Sequence, residues 1–315
     1  MSKIIYIVVP CYNEQEVLPE TSRQLLEKLR TLISNDKIDD KSRILFVDDG
    51  SRDDTWNIIS YLSDSDEHFA GIKLSRNRGH QNALLAGLSA AKDYCDAAIS
   101  LDADLQDDIH AIDQMVENFL SGCDIVYGVR SSRETDTFFK RSSAGLFYKL
   151  MKALGADIIE NHADYRLMSK RALEGLLSFE ESNLFLRGIV PQIGYKSSIV
   201  TYERHERFAG ESKYPLKKML YFAFDGITSF SIKPIRLVTI SGAVIFCASV
   251  IALLIFLIEK LMGYTVQGWA TLMGSIWLLG GIQLLSLGII GEYIGKIYQE
   301  TKRRPRFIIE NIKIR

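Results

Sequence analysis

Two stretches near the carboxyl terminus set the strictest limits on the fold. Residues 235–258, IRLVTISGAVIFCASVIALLIFLI, carry Arg236 as their only charge, and residues 269–291, WATLMGSIWLLGGIQLLSLGIIG, carry none. In a bilayer every backbone polar group must be satisfied within the segment, so an apolar run of this kind has to be helical. At ~1.5 Å per residue either run spans a hydrocarbon core of ~30 Å. A helix packed into a soluble domain keeps a polar face, and neither run has one. The ten residues between them, EKLMGYTVQG, are enough for a hairpin, which puts both flanks on one side. Lys217, Lys218, Lys233 and Arg236 lead into the first run, and Lys296, Lys302, Arg303, Arg304 and Arg306 follow the second, whereas the connecting loop has only Lys260 beside Glu259. That bias places both flanks in the cytoplasm. The segment before the first run, YPLKKMLYFAFDGITSFSIKP, mixes Leu216, Met219, Leu220, Phe222 and Phe230 with lysines and reads as an amphipathic helix in the membrane interface.

The rest of the chain has soluble composition. Over the whole chain 38 basic and 39 acidic residues nearly cancel, which argues against nucleic acid as a partner. Cys11, Cys95, Cys123 and Cys247 form no C-x-x-C pair and have no His cluster beside them, so they fit a reducing compartment better than a disulfide or zinc framework. The amino-terminal apolar run stops at Pro10 and is too short for a secretion signal.

Strand and helix patterns alternate through this part. Strands are expected at 3–9, 43–49, 69–75, 96–104 and 123–129, and helices at 14–33, 53–63, 79–92 and 108–121, with Asp53 as an N-cap. Continuous apolar strands separated by helices predict an α/β fold with a mostly parallel sheet covered on both faces. Ligands of such sheets sit at the carboxyl ends of the strands. There the unusual residues gather: Tyr12, Asn13 and Glu14, then Asp48 and Asp49, then Asp102 and Asp104.

The run ISLDADLQDD, 99–108, puts four carboxylates within seven positions after an apolar strand. Such crowding is most easily tolerated around a cation. Asp102 and Asp104 are expected on one side of an extended chain, with Gln106 adding a neutral oxygen. An all-oxygen set without His or Cys suits Mg²⁺ or Mn²⁺ shared with substrate phosphates. Helix capping accounts for Asp107 or Asp108 but not for Asp102. His80, at a helix start, is expected to hydrogen-bond locally rather than bind a ligand. Neither G-x-G-x-x-G after the first strand nor G-x-x-x-x-G-K-[ST] occurs, which disfavours a nicotinamide cofactor and a P-loop.

Pro10-Cys11-Tyr12-Asn13-Glu14, VDDGSRDDT (47–55), RNRGHQNALLAGL (76–88) and DADLQD (102–107) follow in an order that resembles the family 2 glycosyltransferases of GT-A fold. With the two carboxyl-terminal runs, the chain is similar to the polyprenyl-phosphate glycosyltransferases, which include bactoprenol glucosyltransferases and dolichyl-phosphate mannose synthases. The resemblance implies that Pro10, Tyr12, Glu14, Asp48 and Asp49 surround the nucleotide, and that Asp102, Asp104 and Gln106 hold the metal on the donor diphosphate. It makes Asp164 and Arg166, in NHADYRLMSK (161–170), the catalytic pair. It places Arg130, Arg133, Arg141 and Ser143 near the acceptor phosphate, with Arg207, Ser212 and Lys213 on a loop over the site. The chain departs from the family at Ala163, Tyr165 and Ile109, where Gly, Phe and Pro are more common.

The implied organisation is a cytoplasmic catalytic domain (1–210), an interface segment (211–233), a two-helix transmembrane hairpin (234–292) and a basic cytoplasmic tail (293–315). The implied reaction is inverting transfer of a hexose from a nucleotide sugar, UDP-glucose or UDP-N-acetylglucosamine, to undecaprenyl phosphate in a bacterial cytoplasmic membrane, by an enzyme that can form a homo-oligomer. A processive polysaccharide synthase would carry a Q-x-x-R-W-type motif, which is missing. A membrane-tethered signalling domain would explain the acidic end of 43–49 but has no need of a second acidic cluster at 102–108.

Overall fold

The computed structural model describes residues 2–131, 162–181, 186–203 and 268–314, with scattered positions between 235 and 262. The first four strands are β1 (Ile5–Cys11), β2 (Arg43–Asp48), β3 (Phe69–Leu74) and β4 (Ala97–Ser100). Each leads into a helix: α1 (Leu18–Ser34), α2 (Thr55–Ser65), α3 (His80–Ala91) and α4 (Ala111–Leu120). All seven residues of β1 are buried, as a strand covered on both faces requires. Helix α1 turns Leu18, Leu25, Leu29 and Leu32 inward at helical spacing. Helix α3 lies so close to the sheet that a Cβ on Gly87 would come within 2.4 Å of Val8 Cγ1 and 2.7 Å of Val47 Cγ2.

The chain continues through β5 (Ile125–Arg130), β6 (His162–Ser169), α5 (Lys170–Leu177), the short α6 (Leu186–Ile189), a 3-10 turn (Val190–Ile193), β7 (Ser197–Tyr202), α7 (Trp269–Thr301) and β8 (Ile309–Lys313). The sheet order is β7-β5-β6-β4-β1-β2-β3-β8. β1 pairs in parallel with β2 and β4, β2 with β3, and β5 with β7. β6 runs antiparallel between β4 and β5, and β8 runs antiparallel along β3. The sheet is therefore mixed and mostly parallel.

Two local expectations change. The strand expected to run to residue 104 ends at Ser100. Leu101 N–H still reaches Val8 O at 3.1 Å, but the Ala103 carbonyl accepts from the Thr21 hydroxyl at 2.8 Å and Leu105 takes a left-handed φ of 57°. Asp102 and Asp104 thus belong to a turn and not to one side of an extended strand. Asp53 lies one residue before the cap position of α2, Asp54, whose side chain makes no capping bond. The Asp53 carboxylate instead accepts from Thr55 N–H at 3.1 Å and from the Thr55 hydroxyl at 2.6 Å.

The molecule divides into two compact units, one holding the sheet and the other α7. The end of the chain belongs to the sheet unit. Residues 293–315, expected as a basic tail, comprise the last turns of α7 and then β8, which covers the edge that β3 would otherwise expose. Ser75 N–H donates to Ile308 O at 2.9 Å, and Lys313 Nζ reaches Ser60 Oγ at 2.6 Å and Asp64 Oδ2 at 2.7 Å. Among the described residues one stretch, Leu278–Thr301 of α7, is long and apolar enough to cross a membrane. The interface segment 211–233 lies outside the described residues, and the first apolar run, 235–258, has only scattered described positions.

Candidate active site

The loops at the carboxyl ends of β1 and β2 brace each other. Asn13 N–H donates to Ser51 Oγ and Asn13 Oδ1 accepts from Arg52 N–H, both at 2.9 Å. Glu14 N–H reaches Thr55 Oγ1 at 2.9 Å, and Asp54 N–H reaches Gln15 Oε1 at 3.1 Å. Asn13 holds a left-handed φ of 55° to make this turn. Pro10 is buried in β1, paired with Val47, while Tyr12 stays 37% exposed. Of the residues expected around a nucleotide, Tyr12 therefore offers an open aromatic face, whereas Pro10 is enclosed in the sheet.

Asp48 and Asp49 are both buried, and burial pushes both carboxyls above the ordinary range. Asp48 Oδ1 accepts from Ser51 N–H at 3.0 Å, while Asp48 Oδ2 is buried with no partner among the described residues. Asp49 Oδ1 accepts from Arg78 N–H at 2.7 Å and its Oδ2 from Gly79 N–H at 2.8 Å. Asp49 thereby ties the loop after β3 to the end of β2. The two loops come so close at Gly50, where φ is 68°, that a Cβ there would lie 2.6 Å from the Arg76 carbonyl carbon.

The turn after β4 presents Asp102, Asp104 and Gln106. Asp102 Oδ1 meets His80 Nε2 at 2.8 Å. Burial works to raise the Asp102 carboxyl, but the His80 hydrogen bond and charge outweigh it and leave it below its usual value. On His80 burial opposes the charge, and Asp102 with Asp164 overcomes it, holding the imidazole up at about 9. Asp104 Oδ1 accepts from Gln106 N–H at 3.2 Å. Among the described residues no three or more His, Cys, Asp and Glu side chains gather into a closed metal cage. Two carboxylates and an amide oxygen on an open turn are a hard-oxygen set. They fit a Mg²⁺ or Mn²⁺ that keeps water and shares substrate phosphates.

β6 delivers the second part. Because it runs antiparallel to β4, its first residues arrive at the carboxyl end of the parallel strands. Asp164 and Arg166 lie two apart on one face, and Arg166 Nη2 donates to Asp164 Oδ1 at 2.5 Å. Arg187, from α6, donates from Nη2 to Asp164 Oδ2 at 3.2 Å and from Nε to Oδ1 at 3.4 Å. The Ser100 hydroxyl bonds the Asp164 carbonyl. Burial favours a neutral Asp164, but Arg187, Arg166 and His80 together hold its carboxyl well below the usual carboxylate range. A group so held is a permanent anion that orients its surroundings; it is poorly suited to take up a proton.

Arg130, at the end of β5, is engaged from below. Its Nη2 lies 3.2 Å from Asp107 Oδ1, which also accepts from the Tyr202 hydroxyl at 2.6 Å. Burial and the nearby Asp102 charge raise the Asp107 carboxyl despite that arginine. Arg133, Arg141, Ser143, Arg207, Ser212 and Lys213 lie outside the described residues. The structure also brings in two groups not singled out in the sequence: Arg187 clamps Asp164 and Tyr202 supports Asp107. His80, expected to hydrogen-bond locally, instead bonds Asp102 across 22 positions. The one hint of Arg187 is a lone cation in the apolar run LFLRGIV.

Residues 6–177 match the family described as Glycosyl transferase family 2, and residues 233–297 match the GtrB C-terminal hairpin. An uncharacterised glycosyltransferase of Bacillus subtilis, YkoT, is 57% identical, covering 98% of this chain and 91% of its own length. A prophage bactoprenol glucosyl transferase homolog of Escherichia coli is 40% identical, covering 98% of this chain and 99% of its own. The bactoprenol glucosyl transferase of Shigella phage SfV is also 40% identical over the same shares.

Proposed function

Because the chain belongs to the family 2 glycosyltransferases, we propose that it transfers a hexose from a nucleotide sugar to a membrane polyprenyl phosphate. The observation that carries this reading is the convergence of the Asp102–Gln106 turn with the Asp164–Arg166–Arg187 cluster at the carboxyl ends of the parallel strands. The names of the relatives from Escherichia coli and phage SfV, bactoprenol glucosyl transferases, support a bactoprenol acceptor and a glucosyl group; UDP-glucose is our first choice of donor and UDP-N-acetylglucosamine the second.

Asp102, Asp104 and Gln106 would hold Mg²⁺ or Mn²⁺, which supplies neutralisation of the charge that develops on the leaving diphosphate. Tyr12, Pro10, Glu14, Asp48 and Asp49 would form the nucleotide end of the site. An acceptor phosphate monoester has a second pKa near ~6 and is largely a dianion at neutral pH, so it needs no general base. One of its oxygens bonds to the anomeric carbon as the bond from that carbon to the diphosphate oxygen breaks, and the nucleoside diphosphate leaves. A single displacement of this kind inverts the anomeric centre. Asp164, fixed between two arginines, orients the sugar without gaining a proton. Arg130, with Arg133, Arg141, Ser143, Arg207, Ser212 and Lys213, receives the acceptor phosphate.

The match to a carboxyl-terminal hairpin over 233–297 and the two apolar runs support a two-helix anchor in a bacterial cytoplasmic membrane. The catalytic unit then lies in the cytoplasm, at residues 1–210, followed by an interface segment at 211–233. Glycines at 274, 280, 281 and 288 permit close helix packing and a homo-oligomer. Membranes containing the chain should transfer label from one of a panel of radiolabelled nucleotide sugars into extractable lipid when Mg²⁺ or Mn²⁺ is present. An Asp104→Asn variant should abolish it. Label that forms equally in the variant, or with EDTA, would refute the metal-assisted reading.

A further inference from the structure

His80 opens α3 directly after Gly79, whose φ is 88°. The backbone that carries it is pinned: Arg78 and Gly79 N–H both bond to Asp49, and the Asn82 amide donates to the Arg78 carbonyl at 2.9 Å. From this fixed base the imidazole reaches across to the turn after β4, where Nε2 meets Asp102 Oδ1 at 2.8 Å. The contact is one-sided. Among the described residues Asp102 Oδ2 accepts no hydrogen bond. Although the surrounding protein partly desolvates both groups, the two side chains remain 41% and 37% exposed, and an ion pair this accessible to solvent adds little to folding. Stability therefore does not account for a histidine held so firmly against this particular carboxylate.

We propose that His80 is a positioning residue that holds Asp102 by Oδ1 so that Oδ2 is presented to the divalent cation. The inference rests on the metal–diphosphate reading above. A carboxylate ligand free to rotate must lose that freedom when the ion binds, and a hydrogen bond on its outer oxygen removes the cost beforehand. His80 itself is not the ligand, because its Nε2 is committed to Asp102, and Mg²⁺ and Mn²⁺ favour oxygen donors.

The test is Mn²⁺ binding by the purified full-length chain, followed by the electron paramagnetic resonance signal of free Mn²⁺, with and without UDP. The proteins are wild type, His80→Ala, His80→Gln and Asp102→Asn. Removing an outer-sphere partner typically weakens metal binding by ~10–100-fold, and that loss is expected for His80→Ala. His80→Gln, whose amide can donate the same bond, should stay within a few-fold of wild type. Thermal midpoints in EDTA should be equal for wild type and both His80 variants. In transfer assays His80→Ala should need more Mn²⁺ for half-maximal rate yet approach the wild-type rate at saturation, a split that a merely structural role would not give. Equal Mn²⁺ affinity in wild type and His80→Ala would overturn the proposal, as would an equal loss in His80→Ala and His80→Gln. A wild-type chain that binds no Mn²⁺ would sink the metal reading and this inference together. A wild-type chain that binds Mn²⁺ but labels no lipid would sink only the transfer reading.

Discussion

The Asp164 cluster makes a quantitative prediction that separates folding from chemistry. Arg166 is 2% exposed, and among the described residues its guanidinium makes one hydrogen bond, to Asp164, with Nε and Nη1 buried and unpartnered. Asp164→Ala leaves that guanidinium buried and uncompensated, which costs ~3–5 kcal/mol. Arg187, with 38% of its side chain exposed, can turn to water and adds little to the loss. For a domain of this size ~1 kcal/mol moves Tm by ~2–4 °C, so the midpoint should fall by ~6–20 °C. The double variant Asp164→Ala, Arg166→Met removes both charges at nearly constant apolar volume and should recover most of that loss, because an apolar replacement of a buried pair is often neutral or better. Neither variant should transfer sugar. The assay is intrinsic fluorescence during heating of the detergent-solubilised full chain, at one scan rate for all variants. A single variant within ~2 °C of wild type, or a double variant no better than the single, would refute the view that Asp164 chiefly neutralises Arg166.

The same pair fixes a pH dependence. The folded-state carboxyl of Asp164 lies below its unfolded value, so its contribution is present above ~3.9 and is lost as pH falls toward the folded value. Acid unfolding of Asp164→Ala should accordingly be shallower than that of wild type. Burial pushes the Cys95 thiol up to about 12 and raises Cys11 well above its usual value. Iodoacetamide at pH 8 should reach Cys11 and Cys95 only after unfolding; native labelling of Cys95 would contradict the packing. Gly50→Ala should destabilise by ~1–2 kcal/mol for its left-handed backbone and a further ~1–3 kcal/mol for the collision with the loop after β3. Gly79→Ala meets open space but sits at φ 88°, ψ 153°, a region essentially reserved for glycine, so it should cost the ~1–3 kcal/mol of the backbone alone, and denaturant midpoints should place Gly50→Ala, which adds a collision, below it.

The first half of the fold was legible because it is built from local signals. Apolar runs such as 5–11 and 43–48 end in turn residues, and the leucines of α1 recur at helical spacing. β6 carried no such signal. HADYRLMS mixes charge with apolar residues because it is a site strand, buried yet bearing Asp164 and Arg166, and its antiparallel insertion between β4 and β5 depends on long-range pairing. β8 was hidden by composition: the lysines and arginines around 302–306 read as a solvated tail, whereas Ile308 to Lys313 cover an open sheet edge. The early end of β4 had the same origin. ISLDAD alternates like a strand, but the left-handed Leu105 and the Thr21–Ala103 bond turn the chain after Ser100. In the site Asp48, Asp49, Asp102 and Asp104 could be read from their place after apolar strands, whereas Asp164 came only with the family resemblance. The basic partners could not be read, because His80 and Arg187 are 22 and 23 positions from the residues they hold.

The most direct measurement uses purified, detergent-solubilised protein with radiolabelled UDP-glucose, Mn²⁺ and either undecaprenyl phosphate or undecaprenol of the same chain length. Time-dependent labelled lipid should form with the phosphate alone, with a mass equal to undecaprenyl phosphate plus one hexose and with UDP released in equal amount. Labelled lipid formed equally with undecaprenol would contradict attack by a phosphate oxygen. No product from UDP-glucose or any other nucleotide sugar, with protein that still unfolds cooperatively and binds Mn²⁺, would contradict the account at its centre.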